Sequence, residues 1–278
     1  MSSKTTEGIA TPLRIVTVPE FVKYKSKARP IVMVTAYDYP SALIADSAGV
    51  DAILVGDSVG TTTLGYETTI PVTLDEIIHH VRAVRRGVSR ALLIADLSFG
   101  SYQADPADAL RSAVRILKEA GAQAVKVEGG SNMLNTVKHM VDAGIPTMGH
   151  IGLTPQSVHI FGGHKAQGKD KESARHMLED AAALENAGAF GIVLEGIPAA
   201  LAGEITAAIR IPTIGIGAGL QCDGQVQVWH DLLGLLPGKP FRHAKRYVNL
   251  AEQIKSVMET YALEVRDRSF PTEEHSIN

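Results

Sequence analysis

Four times in this sequence, an alanine–glycine pair closes a helix-like stretch and a short apolar run follows it. The pairs are Ala48-Gly49, Ala120-Gly121, Ala143-Gly144 and Ala187-Gly188. Glycine adopts the left-handed conformation that ends a helix, and a short β-branched run is typical of a strand buried on both faces. The repeat therefore predicts alternating helices and parallel strands, which is an α/β fold.

The helical segments carry start signals of their own. Asp105 is predicted to cap a helix whose first residue is Pro106. Ser131 is predicted to cap a second helix, and a third covers roughly residues 172–187. An extra helix, near residues 18–25, precedes the first strand.

Apolar runs predict seven strands and a weaker eighth. The seven cover residues 31–37, 51–55, 91–97, 123–128, 146–150, 190–195 and 212–217, and the eighth lies near 226–230. About eight units in roughly 250 residues favour a closed (β/α)₈ TIM barrel over an open doubly wound sheet. The open sheet remains an alternative because the eighth strand is poor. Trp229, His230 and Asp231 are interpreted as core and strand-end residues.

Composition and charge indicate the number of domains, the kinds of partner and the cellular compartment. No linker marks a second domain, so we predict one barrel domain over residues 1–278, with flexible tails at about 1–12 and 266–278. A net charge of −3 without a basic block, and no long apolar run, predict neither nucleic-acid nor membrane partners. A single cysteine, Cys222, fits a cytoplasmic protein and excludes an internal disulfide or a cysteine-based zinc site.

Polar side chains stand at the carboxyl ends of consecutive predicted strands. In a parallel barrel these ends share one face, where active sites are found. The residues are Asp57, Asp96, Lys126, Glu128, His150 and Glu195. Such a cluster is costly to bury unless a cation neutralises it. We therefore predict a magnesium-like ion with Asp57 and Asp96 as oxygen ligands.

Each remaining residue has a functional and a structural interpretation. Lys126 suits binding of a substrate carboxylate, stabilisation of an enolate oxygen, or Schiff-base formation, but it also suits a structural pair with Glu128. Glu195 is a general-base candidate or a salt-bridged carboxylate. His150 is given a supporting role.

Two loops are further candidates. Residues 151–171 lack a steady period and are predicted to form an active-site loop. GIGAG, at 215–219, resembles a phosphate-binding glycine loop, although close packing also requires glycine.

Together these residues suit the enolisation of an α-keto acid. The acid binds a metal ion through its keto and carboxylate oxygens, a carboxylate removes the neighbouring proton, and the enolate attacks a carbon electrophile. Backbone N–H groups around residues 56–58, with the Ser58 hydroxyl, are candidates to hold the far carboxylate oxygen. From the residues alone, the electrophile is not identified.

Several motifs resemble the ketopantoate hydroxymethyltransferase family over roughly residues 31–236. They are TAYDYPSALIADSAGVDAILVGDSVG, ADL, VKVEGG, GHIGLTPQSVHIFGG and IGIGAGLQCDGQVQVWHDLLGL. The resemblance implies a barrel of the phosphoenolpyruvate/pyruvate type and a homodecamer in pantothenate biosynthesis. It also implies Mg²⁺, with 5,10-methylenetetrahydrofolate as the one-carbon donor to 3-methyl-2-oxobutanoate, which gives 2-dehydropantoate.

The resemblance also implies roles for individual residues. Substrate contacts fall on Asp57, Ser58, Asp96 and Lys126; metal contacts on Asp57 and Asp96, with Glu128 in the metal's outer shell; and the base on Glu195. One departure is Ser98, which stands where proline is expected after ADL.

Two alternatives remain at this stage. One is a Mg²⁺-dependent lyase on the same barrel that cleaves C–C or C–P bonds of an oxoacid. Such lyases often carry a reactive cysteine in a mobile loop, and Cys222 is poorly placed for that role. The other is a non-catalytic scaffold, which would be indicated by loss of Asp57, Asp96, Lys126 or Glu195.

Overall fold

The computed structural model describes residues 15–163, 165–238 and 243–277. Eight parallel strands close into a barrel in sequence order, so the predicted TIM barrel is confirmed and the open sheet is excluded. The strands are β1 Ile31–Thr35, β2 Ala52–Val55, β3 Leu92–Asp96, β4 Ala124–Glu128, β5 Thr147–Gly152, β6 Gly191–Glu195, β7 Thr213–Ile216 and β8 Gly224–Gln227.

Helices follow most of the strands. They are α1 Val18–Ser26, α2 Tyr39–Ser47, α3 Val59–Thr62, α4 Leu74–Gly87, α5 Pro106–Arg115, α6 Leu134–Asp142, α7 Val158–Phe161, α8 Lys171–Asn186, α9 Ala199–Ala208, α10 Trp229–Leu233 and α11 Leu250–Asp267. A π-helical turn, Ile116–Ala120, extends α5, and 3₁₀ turns cover Ser131–Met133, Pro155–Ser157 and Glu273–His275. Within the described part of the chain, none of these helices has the length and apolarity needed to span a bilayer.

The helix ends follow the sequence closely. The four glycines after alanine all have positive φ: +88° at Gly49, +81° at Gly121, +86° at Gly144 and +95° at Gly188. This is the backbone region that L-residues rarely adopt, which explains why glycine recurs there. The helix-stop prediction is therefore confirmed.

One of the two predicted caps is confirmed and the other is wrong. The side chain of Asp105 accepts a hydrogen bond from Ala107 N and caps α5. Ser131 caps no helix, because it lies in the 3₁₀ turn before α6. Its N–H and hydroxyl instead donate to Asp180 Oδ1 on α8. The turn that precedes α6 is therefore held by a residue remote in sequence.

The eighth strand lies earlier in the sequence than predicted. It begins at Gly224, where a β-carbon would lie 2.6 Å from the carbonyl oxygen of Ile31, so only glycine lets β8 approach β1. The prediction that Trp229, His230 and Asp231 are core and strand-end residues is wrong. They form the start of α10, are partly exposed, and Leu232 N donates to Val228 O in helical fashion.

The described residues divide into two compact units, one ending at Val226 and the other starting at Gln227. The first contains α1–α9 with nearly all of the barrel, and the second contains α10 and α11. A single domain over residues 1–278 remains a prediction, and the predicted tail at 1–12 lies outside the described residues. In the predicted tail at 266–278, the structure has the end of α11 and the last 3₁₀ turn.

The predicted N-terminal helix, α1, closes the amino end of the barrel. Phe21 and Tyr24 belong to the same buried cluster as the inward-facing strand residues. Phe21 packs edge-to-face on Phe190 with ring centroids 5.8 Å apart, a favoured aromatic geometry. Lys25 also pairs with Asp223 at 2.9 Å, which fixes the helix to the strand ends below.

Candidate active site

Strand register brings the predicted polar residues together at the carboxyl end of the barrel. Asp96 lies beside Lys126 across β3 and β4, and Glu128 lies beside His150 across β4 and β5. Glu195 ends β6 beside Gly152. Parallel pairing with period-two alternation turns these side chains to one face, as the sequence predicted.

A continuous chain of contacts links these side chains. Lys126 Nζ lies 3.1 Å from Asp96 Oδ1, 3.0 Å from His150 Nδ1 and 3.7 Å from Glu128 Oε1. His150 Nε2 lies 3.2 Å from Glu195 Oε2. A charge at one end of this chain therefore acts on groups along its whole length, because the surroundings are a weak dielectric.

Burial separates the members of the chain into two classes. The side chains of Asp96, Glu128 and His150 are each 3% exposed, and that of Lys126 is 4% exposed. Glu195 retains 16% exposure. It is therefore the member most open to a ligand that enters from the carboxyl end.

Asp57 and Asp96 meet at the end of β2. Asp57 N donates to Asp96 Oδ2 at 3.0 Å. A β-carbon on Gly56 would lie 3.0 Å from Ser58 Oγ and 3.3 Å from Asp96 Oδ2, so glycine permits this close approach. The Ser58 and Tyr37 hydroxyls are hydrogen-bonded at 2.7 Å. The glycine, aspartate and serine after β2 thus form part of the site rather than an ordinary surface turn.

The positive charge beside the two aspartates is too small to offset their burial and mutual repulsion. Burial raises the pKa of Asp57 well above its usual value, and repulsion from Glu128 and Asp96 raises it further. Burial also raises the pKa of Asp96, although Lys126 opposes the rise. A cation beside these carboxylates would relieve that cost.

The pKa values of Lys126 and His150 are both raised by the neighbouring carboxylates. Burial alone would lower the pKa of Lys126, but Asp96, Glu128 and Asp57 outweigh it and the pKa is raised. Burial and Lys126 lower the pKa of His150, but contacts with Glu128 and Glu195 prevail and raise it to about 9. A lysine kept as an ammonium suits anion binding better than Schiff-base formation, which needs the free amine.

The donor set fits a magnesium-like ion. In the described residues, no three His, Cys, Asp or Glu side chains are arranged as a metal cage. Magnesium is commonly held by only one or two carboxylates, with waters and substrate oxygens completing its shell, and Asp57 and Asp96 match that pattern. Glu128 is engaged by Gln156 N at 2.9 Å and by His150 Nδ1 at 3.4 Å, which suits a carboxylate behind the direct ligands.

The site contains two buried residues that the sequence analysis did not identify. Gln156, in the 3₁₀ turn after β5, donates through Nε2 to Asp57 Oδ2 at 2.9 Å. The Tyr102 hydroxyl donates to Gln156 Oε1 at 2.7 Å and accepts from Glu128 N at 3.0 Å. The motif GHIGLTPQ was a signal for Gln156, but no local pattern pointed to Tyr102.

In the glycine-rich segment GIGAG, at residues 215–219, Gly215 has a packing role. A β-carbon there would lie 2.9 Å from Cys222 Sγ, so this glycine makes room for the buried thiol. Burial raises the pKa of Cys222, and the thiol is hydrogen-bonded to Thr213, the residue that opens β7 at the amino end of the barrel. Cys222 is therefore not a reactive cysteine of the carboxyl-end site.

The chain is similar to known proteins in both sequence and fold. The family model of ketopantoate hydroxymethyltransferase matches residues 15–273. The 3-methyl-2-oxobutanoate hydroxymethyltransferase of Carboxydothermus hydrogenoformans is 55% identical over 261 residues, which are 94% of this chain and 95% of that protein.

Solved structures with the same barrel include 2,3-dimethylmalate lyase, a member of the PEP mutase/isocitrate lyase superfamily. It has a TM-score of 0.60 and 15% identity and covers 94% of this chain and 92% of its own. Phosphonopyruvate hydrolase in complex with oxalate and Mg²⁺ has a TM-score of 0.61 and 14% identity, covering 94% of this chain and 93% of its own. At such identities the likeness establishes the fold alone.

Proposed function

The chain belongs to the ketopantoate hydroxymethyltransferase family and is thus a transferase, and we propose that it moves a one-carbon unit from 5,10-methylenetetrahydrofolate to 3-methyl-2-oxobutanoate. The observation that carries the proposal is the convergence of Asp57, Asp96, Lys126 and Glu195 at one barrel end. Lys126 provides a positive charge for an anionic keto acid, Asp57 and Asp96 provide carboxylates for the cation, and Glu195 provides a base. The lyase alternative has no comparable support, since Cys222 is buried.

The keto acid is proposed to bind between the aspartates and Lys126. A Mg²⁺ ion on Asp57 and Asp96 would neutralise these carboxylates and polarise the keto and carboxylate oxygens of the substrate. The Ser58 main-chain N–H and hydroxyl are proposed to hold the outer carboxylate oxygen, because the Asp57 N–H already donates to Asp96 Oδ2 at 3.0 Å. Lys126, with its raised pKa, supplies a fixed positive charge close to the oxygen on which negative charge develops.

Glu195 is proposed to take the proton from C3 of the keto acid. The C–H electron pair moves into the C2–C3 bond and the keto π pair moves to oxygen, which gives the enolate. His150 Nε2 lies 3.2 Å from Glu195 Oε2 and orients this carboxylate. The contact with Glu195 is one of the interactions that raise the pKa of His150 to about 9. The exposure of Glu195 leaves its face open to the substrate.

Water adds to the methylene carbon of the folate and both C–N bonds of that carbon break, so tetrahydrofolate leaves and formaldehyde remains as the electrophile. The enolate carbon then attacks the formaldehyde carbon, the new C–C bond forms as the C=O π pair moves to oxygen, and that oxygen takes a proton to become the new hydroxyl. The sum is keto acid plus methylenetetrahydrofolate plus water, giving 2-dehydropantoate plus tetrahydrofolate. We propose that a cytoplasmic homo-oligomer, a decamer by family resemblance, performs this reaction.

The decisive experiment follows the C3 proton of 3-methyl-2-oxobutanoate by NMR in D₂O, with and without Mg²⁺ and with tetrahydrofolate added. We expect Mg²⁺-dependent loss of the C3 signal, followed by formation of 2-dehydropantoate once methylenetetrahydrofolate is supplied. An absence of exchange in every condition, from folded protein, would reject the proposal and redirect the search to other oxoacids.

A further inference from the structure

A single buried amide contacts both sides of the carboxylate cluster. Gln156, 5% exposed, lies in the loop after β5. Its side-chain Nε2 donates to Asp57 Oδ2 at 2.9 Å and to Leu97 O at 3.0 Å. Its main-chain N–H donates to Glu128 Oε2 at 2.9 Å. One residue thus ties the ends of β2, β3 and β4 to the loop after β5.

The orientation of this carboxamide is set by its neighbours. Leu97 O only accepts hydrogen bonds, so the amide nitrogen must face it and Asp57. Oε1 then accepts from the Tyr102 hydroxyl at 2.7 Å and from Gln103 Nε2 at 3.0 Å. Both amide protons and both oxygen lone pairs are therefore used, and a flip of the group would turn Oε1 against the oxygens of Asp57 and Leu97.

We propose that Gln156 is a positioning residue for the reaction, and this inference rests on the proposed function. By occupying Oδ2 of Asp57, its amide holds the carboxylate in one orientation and leaves Oδ1 for the cation. Tyr102 and Gln103 hold the amide in turn. The residue touches neither cation nor substrate and acts through Asp57.

To position Asp57, the side chain of residue 156 must end in a hydrogen-bond donor. Glutamate at this position has nearly the same shape but would turn an oxygen toward Asp57 Oδ2 and Leu97 O, where like charges and lone pairs repel. Alanine would remove the donor without adding charge. Both variants free the Asp57 carboxylate to rotate, so both are expected to weaken cation binding, and Gln156→Glu should weaken it more.

Gln123 provides a matched control. Its Oε1 accepts from Leu93 N at 3.0 Å, so it also makes a side-chain hydrogen bond across neighbouring strands. It precedes β4 and thus lies at the amino end of the barrel, away from the carboxylates. Gln123→Ala therefore reports the cost of losing a structural glutamine alone.

The test measures Mn²⁺ binding to the substrate-free, full-length protein by electron paramagnetic resonance, together with kcat and KM for C3 exchange and the melting temperature. Gln156→Ala should bind Mn²⁺ about 10-fold more weakly and Gln156→Glu up to about 100-fold more weakly, the range for partners of metal ligands. The kcat should fall in parallel, while KM changes less and Gln123→Ala retains wild-type binding.

Wild-type Mn²⁺ affinity in folded Gln156→Ala would overturn the inference, as would an equal loss in Gln123→Ala. Should Gln156→Glu not fold, Gln156→Ala gives the same measurements. Failure of wild-type protein to exchange the C3 proton would instead reject the proposed function, and the Mn²⁺ titration would still decide whether Gln156 positions Asp57.

Discussion

Gly152 and Glu195 are so close that a β-carbon at residue 152 would lie 2.3 Å from the carbonyl oxygen of Glu195. Gly152 also has a φ of +98°, and the next residue, Leu153, donates its N–H to Glu195 O at 2.8 Å. The position of the candidate base thus depends on the absence of a side chain on the adjoining strand.

Gly152→Ala is accordingly expected to disturb both stability and exchange. The strained φ alone costs about 1–3 kcal/mol, and the clash must displace the end of β6. We expect a lower melting temperature and at least about 10-fold slower C3 exchange per folded molecule, because small misplacements of catalytic groups are costly.

Gly144→Ala separates strain from displacement. Gly144 has a φ of +86°, but a β-carbon added there would have no neighbouring atom within 4 Å. This variant should lose stability with little change in exchange rate. If both variants slow exchange equally, the contact between Gly152 and Glu195 has no special role.

Asp96→Asn should abolish most of the Mg²⁺-activated exchange. The substitution keeps the shape but removes the charge that faces Lys126 at 3.1 Å and the proposed cation. We expect a loss of about 100-fold or more, typical of removing one preorganised electrostatic group. Activity is measured across a Mg²⁺ titration.

The control for this change is Asp223→Asn, which alters a paired aspartate at the amino end. It should cost stability and leave the exchange rate per folded molecule near that of wild type. Full exchange in Asp96→Asn would remove Asp96 from the proposed metal site.

Glu195→Gln should slow C3 exchange by about 10²–10⁴-fold, the range for loss of a general base. Binding of the keto acid, measured by calorimetry with Mg²⁺ present, should change little because Glu195 is not among the proposed direct ligands. An unaltered exchange rate would assign the base to another residue.

Asp46 predicts a pH dependence of stability that is independent of the site. Burial alone would raise its pKa, but hydrogen bonds from Ala91 N, Ser89 and Arg90 N outweigh burial and hold the pKa below its usual value of 3.8. A carboxyl with a depressed folded-state pKa stabilises the fold above the unfolded-state pKa, and that contribution is lost as pH falls through the folded-state pKa.

Asp46→Asn should therefore lower the free energy of unfolding by about 1–3 kcal/mol near neutral pH. The difference from wild type should shrink as pH falls below the unfolded-state pKa of about 3.9 toward the lower folded-state pKa, where the wild-type carboxyl protonates. Denaturant titrations at several pH values measure it. The exposed Asp142, paired with Lys138, gives a control whose asparagine variant should change stability by less than about 0.5 kcal/mol. A pH-independent difference at Asp46 would contradict the assignment.

Local patterns predicted most of the barrel because local physics determines those features. Gly49 and its counterparts end helices through their own backbone freedom, and alternation along β3 and β4 is enough to turn Asp96 and Lys126 to the same face. The eighth strand was misplaced because Gly224 has no strand-like character by itself. Glycine is required there by close contacts with Ile31 and Ile214, which lie far away in the sequence or on another strand.

Interactions between distant segments could not be predicted in this way. Ser131 has the chemistry of a cap, yet Asp180 on another helix determines its conformation. Gln156 reaches back to Asp57 across 99 residues. Neither relationship leaves a periodic trace in the sequence, since each depends on how the closed barrel brings loops together.

The helix α1 determines from which end of the barrel a ligand would enter. With Phe21 and Tyr24 filling its amino end, the part of the barrel that the structure describes leaves the carboxyl end as the route by which a small molecule would reach Lys126 and Glu195. Keto acid, folate and their products would then all share that route. A substitution at Phe21 or Tyr24 is therefore expected to act first on the stability of the core, since both side chains belong to it.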